Sequence, residues 1–298
     1  MLSNFFYSSF SFLLCVLLIK CDKKNEKTKE DWIPIFNSKD LSGWDIKIAG
    51  QRLNDNYRNT FRVQDSMIRV SYDQYEKFDN KFGHLYYKTP LSYYRLRFQY
   101  RFIGSHLADA PEWGDKNSGV MVHSQSAQSL DINQSFPVSL EMQLLGGKDT
   151  GTTTTGNVCT PGTQIHFHNS LITDHCTNST SKTYRGEQWV SGVVEVYGDS
   201  LVRHIINGDT VLTYTKPIIA GGFVSDSYNW TTAQITDSVF WINKAGSPLK
   251  EGYIALQAES QPVDFRRIEL LNLVGCTDPK AKNYKDYYIK SDNSQCRY

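Results

Sequence analysis

Two short runs of the chain place acids and amides together. In Val138-Ser139-Leu140-Glu141-Met142-Gln143-Leu144 a strand would send Leu140, Met142 and Leu144 to one face and Ser139, Glu141 and Gln143 to the other. Tyr253-Ile254-Ala255-Leu256-Gln257-Ala258-Glu259 repeats the arrangement, with Gln257 and Glu259 opposite Ile254, Leu256 and Ala258. An ionised Glu on a strand whose other face is fully aliphatic needs a partner or a ligand, unless that face is ordinary solvated sheet. Two strands carrying Gln and Glu on one polar face are what a concave sugar-binding sheet requires, because hydroxyls need donors and acceptors in fixed positions. His123 ends the run Gly119–His123 and is expected to join the same face or to serve a structural bond. His175 lies beside Cys176 in Asp174-His175-Cys176, where it could act as acid, base or metal ligand, or make a loop hydrogen bond.

The elements that must position these residues read as β throughout. Thr60–Val70, Tyr94–Phe102, Gly119–His123, Val138–Leu145, Trp189–Tyr197, Leu201–Ile206 and Gly252–Leu256 are short alternating runs rich in β-branched and aromatic residues. No segment has a sustained helical period, so the chain is expected to be an all-β sandwich. Gly198-Asp199 and Asn207-Gly208 are tight-turn pairs that join Val194–Tyr197, Leu201–Ile206 and Val211–Tyr214 into an antiparallel meander. Between Gly146 and Tyr184 the chain is rich in Thr, Ser, Gly and Asn, which predicts a long functional loop pinned by a disulfide.

Lys and Arg total 32 against 31 Asp and Glu, a near-neutral balance that excludes the electrostatic footprint of a nucleic-acid binder. Residues 1–20 are an expected export signal: Phe5–Ile19 is uncharged and mostly apolar, and too short for a permanent span. Cys21 is a candidate for lipidation, which would attach the protein to a membrane, the alternative being a plain secretory signal. Residues 21–31 are charged and free of aliphatics, as in a solvated tether. The sandwich domain is expected over 32–274, followed by a small element over 275–298. Cys159 with Cys176, and Cys276 with Cys296, form two local pairs that read as disulfides in an exported chain. Zinc is the rival reading, but the spacing is looser than in a structural zinc site.

The chain lacks a G-x-S-x-G elbow, an H-E-x-x-H helix, a P-loop and a G-x-G-x-x-G turn, and the Glu141 strand has no second carboxylate for a retaining mechanism. What it does carry is an ordered set of motifs: Ile35-Phe36-Asn37-Ser38-Lys39-Asp40-Leu41-Ser42-Gly43-Trp44, Asn117-Ser118-Gly119-Val120, Glu141-Met142-Gln143-Leu144-Leu145, and the closing Gly252–Ile268 strands. Together they resemble the 3-keto-disaccharide hydrolase family over roughly Trp32 to Leu273. Ser38 stands where that family usually has Gly, and the segment 221–247, with Phe223, Trp230, Phe240 and Trp241, is not part of the common pattern. Those aromatics are expected either to stack on sugar rings or to pack the loop.

The resemblance implies a concanavalin A-like jelly-roll β-sandwich of two antiparallel sheets and a 3-keto-glycoside substrate. It also implies proton abstraction at C2, expulsion of the C1 substituent by β-elimination, and addition of water. Such a site needs a base near C2 and donors or a divalent cation at the enolate oxygen. The expected base is Glu141 or His175, with Gln143, Gln257, Glu259 and His123 binding the sugar or a metal. The alternative is a non-catalytic carbohydrate-binding surface lipoprotein, because such sandwiches also serve as lectins.

Overall fold

The computed structural model describes residues 28–298, so the export segment 1–20 and Cys21 lie outside the described residues. In chain order the strands are β1 (Ile33–Pro34), β2 (Trp44–Ile48), β3 (Phe61–Gln64), β4 (Met67–Val70), β5 (Gly83–Tyr87), β6 (Tyr93–Phe102), β7 (Asn117–Ser124), β8 (Leu140–Leu145) and β9 (Asn157–Cys159). They continue as β10 (Thr163–Phe167), β11 (Ser170–Ile172), β12 (Cys176–Thr177), β13 (Val190–Tyr197), β14 (Leu201–Ile206), β15 (Asp209–Ile219), β16 (Tyr253–Ala258), β17 (Val263–Asn272), β18 (Val274–Gly275) and β19 (Lys290–Ser291).

Alternation decides how these strands layer. Along β6, Tyr94, Leu96, Phe98, Tyr100 and Phe102 are buried, while Tyr93, Arg95, Arg97, Gln99 and Arg101 face outward. A ten-stranded sheet has the order β11-β10-β15-β14-β13-β6-β17-β4-β3, with β1 added beside β17. A seven-stranded sheet has the order β12-β9-β8-β7-β16-β5-β2. All pairings within both are antiparallel, which makes the molecule a two-sheet all-β sandwich of the jelly-roll kind. One buried cluster fills the space between them, joining Leu96, Phe98 and Tyr100 to Val120, Leu140, Met142, Leu144, Ile254 and Leu256. Each fully buried aliphatic of this kind contributes about 1.5–3 kcal/mol.

The meander is present as expected in β13, β14 and β15. The segment from Gly146 to Tyr184 differs from expectation, because it is not one long loop: β9 and β12 extend the seven-stranded sheet, and β10 and β11 extend the other. Its Thr and Ser content misleads, since Val158 and Ile165 are buried in the core and pull the chain into both sheets. Cys159 and Cys176 are direct cross-strand partners and are disulfide-bonded, as are Cys276 and Cys296. Two disulfides place the protein in an oxidising compartment and support export.

Residues 28–31, expected to be solvated, are held against the body. Glu30 pairs with Arg95 at 2.8 Å, and the Trp32 ring lies 4.1 Å from the Arg97 guanidinium carbon. The disulfide-closed C-terminal segment reaches the same place, with Lys285 at 3.2 Å and the Tyr287 hydroxyl at 3.1 Å from Asp31. Among the described residues no helix is long and apolar enough to cross a membrane.

Candidate active site

The outer face of the seven-stranded sheet, the one turned away from the core, carries the site. Register aligns its side chains in transverse rows. In one row Lys47 is beside His84, His84 beside Gln257, and Gly119 beside Gln143, which in turn is beside Asn157. Because Leu256 pairs with Val120, the next step along both strands brings Gln257 next to Gly119 and closes that row. A second row runs Tyr86, Ala255, Met121, Glu141 and Cys159. One further step puts Glu259 beside Asn117.

Glycine makes the centre possible. A Cβ on Gly119 would run into the carboxylate of Glu141 and come within 2.7 Å of its Cγ, so the Glu141 side chain lies across Gly119 and toward the Gln257 and Glu259 strand. Loops then roof the sheet to leave a cavity of about 920 Å³ with Glu141, Gln143, Glu259, Asn117 and His175 on its wall. That volume is in the range of small-molecule sites.

Glu141 and Glu259 are 6% and 4% exposed, and among the described residues neither makes an ion pair. Burial pushes the Glu141 carboxyl far above the usual range, to about 8. Glu259 is raised as well, by burial first and then by the nearby Glu141 charge. Its Oε2 has no hydrogen-bond partner within the protein. Burial thus favours the protonated form of both carboxyls, and a charge on Glu141 holds the proton on Glu259, so that when Glu141 ionises it faces a neighbouring proton donor and is a stronger base than an ordinary carboxylate.

Gln143 is oriented by its neighbours. Its Oε1 accepts from Asn157 Nδ2 at 3.1 Å, and Asn157 is itself held by Thr154 Oγ1 at 2.8 Å and the Ser179 amide at 2.9 Å. The Gln143 amide hydrogens are thereby left for the cavity. His175 sits at the stapled edge, its carbonyl accepting from the Thr160 amide at 2.9 Å. Burial lowers its pKa to about 4, so it is neutral and a much weaker base than Glu141.

Two expected residues are placed differently. His123 does not line the cavity: Val122 and His123 together oppose the single residue Ile254 at a bulge, and His123 has φ +49°. The extra residue turns its ring to the other side of the sheet, where Nε2 meets the Gly198 carbonyl of the β13–β14 turn at 2.9 Å. Gln257 does share the face of Glu259 but is fully buried and is not among the residues that line the cavity, with neither amide atom bonded within the protein.

Several lining residues carry no sequence signal of their role. Trp113, Phe82 and Phe136 form an aromatic wall, with Phe82 and Phe136 rings 4.8 Å apart. Asn117 opens the Asn-Ser-Gly motif, and its Nδ2 donates to the Trp113 carbonyl at 3.1 Å. The unrecognised segment 221–247 contributes Val224, Tyr228, Thr232 and Gln234 to the cavity. Of its aromatics, Phe223 and Trp230 are buried and pack together at 5.3 Å, Trp241 stacks on Trp230 at 6.4 Å, and Phe240 is exposed. They pack the segment, and Tyr228 is the aromatic that faces the site.

Among the described residues, one grouping brings three potential metal-ligand atoms within 4.8 Å, namely Cys159, His175 and Cys176. Its two sulfurs are bonded to each other and supply no thiolate, so these residues do not fit a divalent cation.

No curated protein matches the chain. Among solved structures, a candidate glycosyl hydrolase of Parabacteroides distasonis ATCC 8503 aligns at 14% identity and TM-score 0.46, covering 82% of this chain and 100% of that one. A second candidate glycosyl hydrolase of the same organism aligns at 16% identity and TM-score 0.45, covering 81% and 94%. The carbohydrate binding module CBM66 from Bacillus subtilis aligns at 10% identity and TM-score 0.42, covering 77% and 96%. The profile of one family matches residues 31–271, which include the whole of the sheet and both carboxylates. The chain belongs to the 3-keto-alpha-glucoside-1,2-lyase-like domain family, whose name denotes action on glycosides.

Proposed function

We propose that the protein cleaves glycosides already oxidised to a ketone at C3. The observation that carries this reading is the buried, unpaired Glu141–Glu259 carboxyl pair on the cavity wall. A glycan-binding surface has no need to bury two acids without counter-ions, where ionising either one is costly. Proton abstraction beside a ketone uses such a pair directly.

In the proposed reaction Glu141 takes the C2 proton, and the electron pair moves into the C2–C3 bond as charge develops on the C3 oxygen. The amide hydrogens of Gln143 and a protonated Glu259 supply donors for that oxygen. Collapse of the enolate restores the C3 carbonyl, forms a C1–C2 double bond and expels the C1 substituent. The departing oxygen takes a proton from the carboxyl pair or from water. Addition of water across C1–C2 then gives the free 3-keto sugar, for net hydrolysis. His175, neutral and at the rim, is assigned to hydrogen bonding with substrate. The base sits at Glu141 because general bases work best with a pKa close to the working pH.

The test is incubation with a 3-keto-glycoside and with its unoxidised parent. Cleavage of the keto form alone is expected. Cleavage of both at similar rates, or of neither, overturns the proposal.

A further inference from the structure

The roof of the cavity holds one aromatic ring that the fold does not need for its core. Trp113 is 55% exposed, yet its ring stacks flat on the nearly buried Phe82, centroids 5.6 Å apart and planes 5° from parallel. Phe136 flanks the same ring at 6.4 Å. The backbone beneath is equally fixed. Trp113 lies in the short turn Glu112–Gly114, its carbonyl is held by Asn117, and Gly114 packs so tightly that a Cβ would come 2.8 Å from the Glu259 carbonyl oxygen. A lone exposed Trp is unremarkable on a protein surface, but this one is immobilised beside the carboxyl pair with a ring on the cavity wall. Tyr228, also on the cavity wall, is set edge-on to Phe136 at 6.3 Å.

A flat, rigid, amphipathic ring over a polar floor is the surface on which the C–H face of a sugar packs, at low entropic cost because the ring is already ordered. The floor carries the acids, so the oxidised ring belongs there. Trp113 stands toward the rim, where the group across the glycosidic oxygen must lie. Resting on the reading of the cavity given above, we infer that Trp113 is the platform for the leaving group's own ring. Trp113 is therefore the residue that sets how strongly a second sugar, over a small alkyl group, is preferred at C1.

The experiment has a turnover arm and a binding arm. In the first, kcat/KM is compared for the 3-keto forms of an α-linked glucosyl-glucose disaccharide and of methyl α-glucoside. The preference for the disaccharide is expected to fall about tenfold in Trp113→Ala, mainly through KM, and to be largely retained in Trp113→Phe. In the second, the unoxidised disaccharides of each α-linkage and methyl α-glucoside are titrated calorimetrically against intact wild-type and variant protein. The best-bound disaccharide is expected to lose about tenfold in affinity with Trp113→Ala, relative to the methyl glycoside. Equal losses for both ligands, or no change in either ratio, overturn the inference. Absence of turnover by the wild type counts against the proposed reaction alone, and the binding arm then decides for or against the platform.

Discussion

The two outer faces of the sandwich handle buried acid in opposite ways. On the ten-stranded sheet Asp264 is fully buried, but Arg69 holds it through two hydrogen bonds of 2.7 and 2.9 Å and Arg101 through two of 3.0 and 2.9 Å. Glu269 pairs with Arg97 at 2.7 Å, and Glu195 with both Arg95 at 2.8 Å and Arg203 at 3.1 Å. Arg101 and Arg266 lie against Trp189, at 4.6 and 3.8 Å from its ring centre, and a groove of about 690 Å³ runs beside them. On the seven-stranded sheet Glu141 and Glu259 are just as deeply placed and have no cation at all among the described residues. The first face solves the problem of buried charge by pairing. The second meets it by holding the protons on, and buried carboxyls raised out of their ordinary range beside a cavity are the mark of a reactive site and not of a structural one.

The sharpest way to break this contrast is to neutralise one acid on each face. Glu141→Gln is expected to lower turnover of a 3-keto-glycoside by about 10²–10⁴-fold, measured by steady-state kinetics, while the folded spectrum is unchanged. Asp264→Asn is expected to do the reverse. It leaves two arginines without their carboxylate and costs about 3 kcal/mol in a denaturant titration, with turnover per folded molecule preserved. If Asp264→Asn impairs turnover and Glu141→Gln impairs only folding, the two faces have been assigned the wrong way round.

A smaller effect is in the pH dependence. The Glu141 carboxyl is raised in the folded protein, so between the ordinary carboxylate range and about pH 8 the folded state holds a proton that the unfolded chain has released. Its contribution to stability is therefore present at low pH and lost as pH rises through that window. Glu141→Gln cannot ionise, so its melting temperature should exceed that of the wild type by a few degrees at pH 8, and the advantage should vanish near pH 4. A constant difference across that range would show that the carboxyl is not raised.

Much of this architecture was legible in the residues. Gly198-Asp199 and Asn207-Gly208 specify their hairpins by local turn chemistry, and the aliphatic face of Leu140, Met142 and Leu144 forces Glu141 and Gln143 to the other side. The same period-2 argument failed at His123, because one inserted residue at a bulge reverses every inference about faces beyond it. For Gln257 it gave the correct face but not the depth, which depends on what covers the strand. Trp113 and Tyr228 escaped altogether. Their roles come from loops far apart in sequence that meet only when the sheet is roofed, and a single aromatic in a loop has no periodicity to read.

By itself, then, the sequence determined the strands, their two faces, the disulfide partners and the pair of acid-bearing strands, since all of these follow from short-range spacing and side-chain chemistry. Only the tertiary structure decided that both glutamates are buried, that Glu259 lies close enough to be raised by Glu141, that among the described residues no arginine pairs with them, and that aromatic loops enclose them. Proximity and desolvation are properties of the packed chain, and they turn two ordinary glutamates into a candidate base and its acid partner.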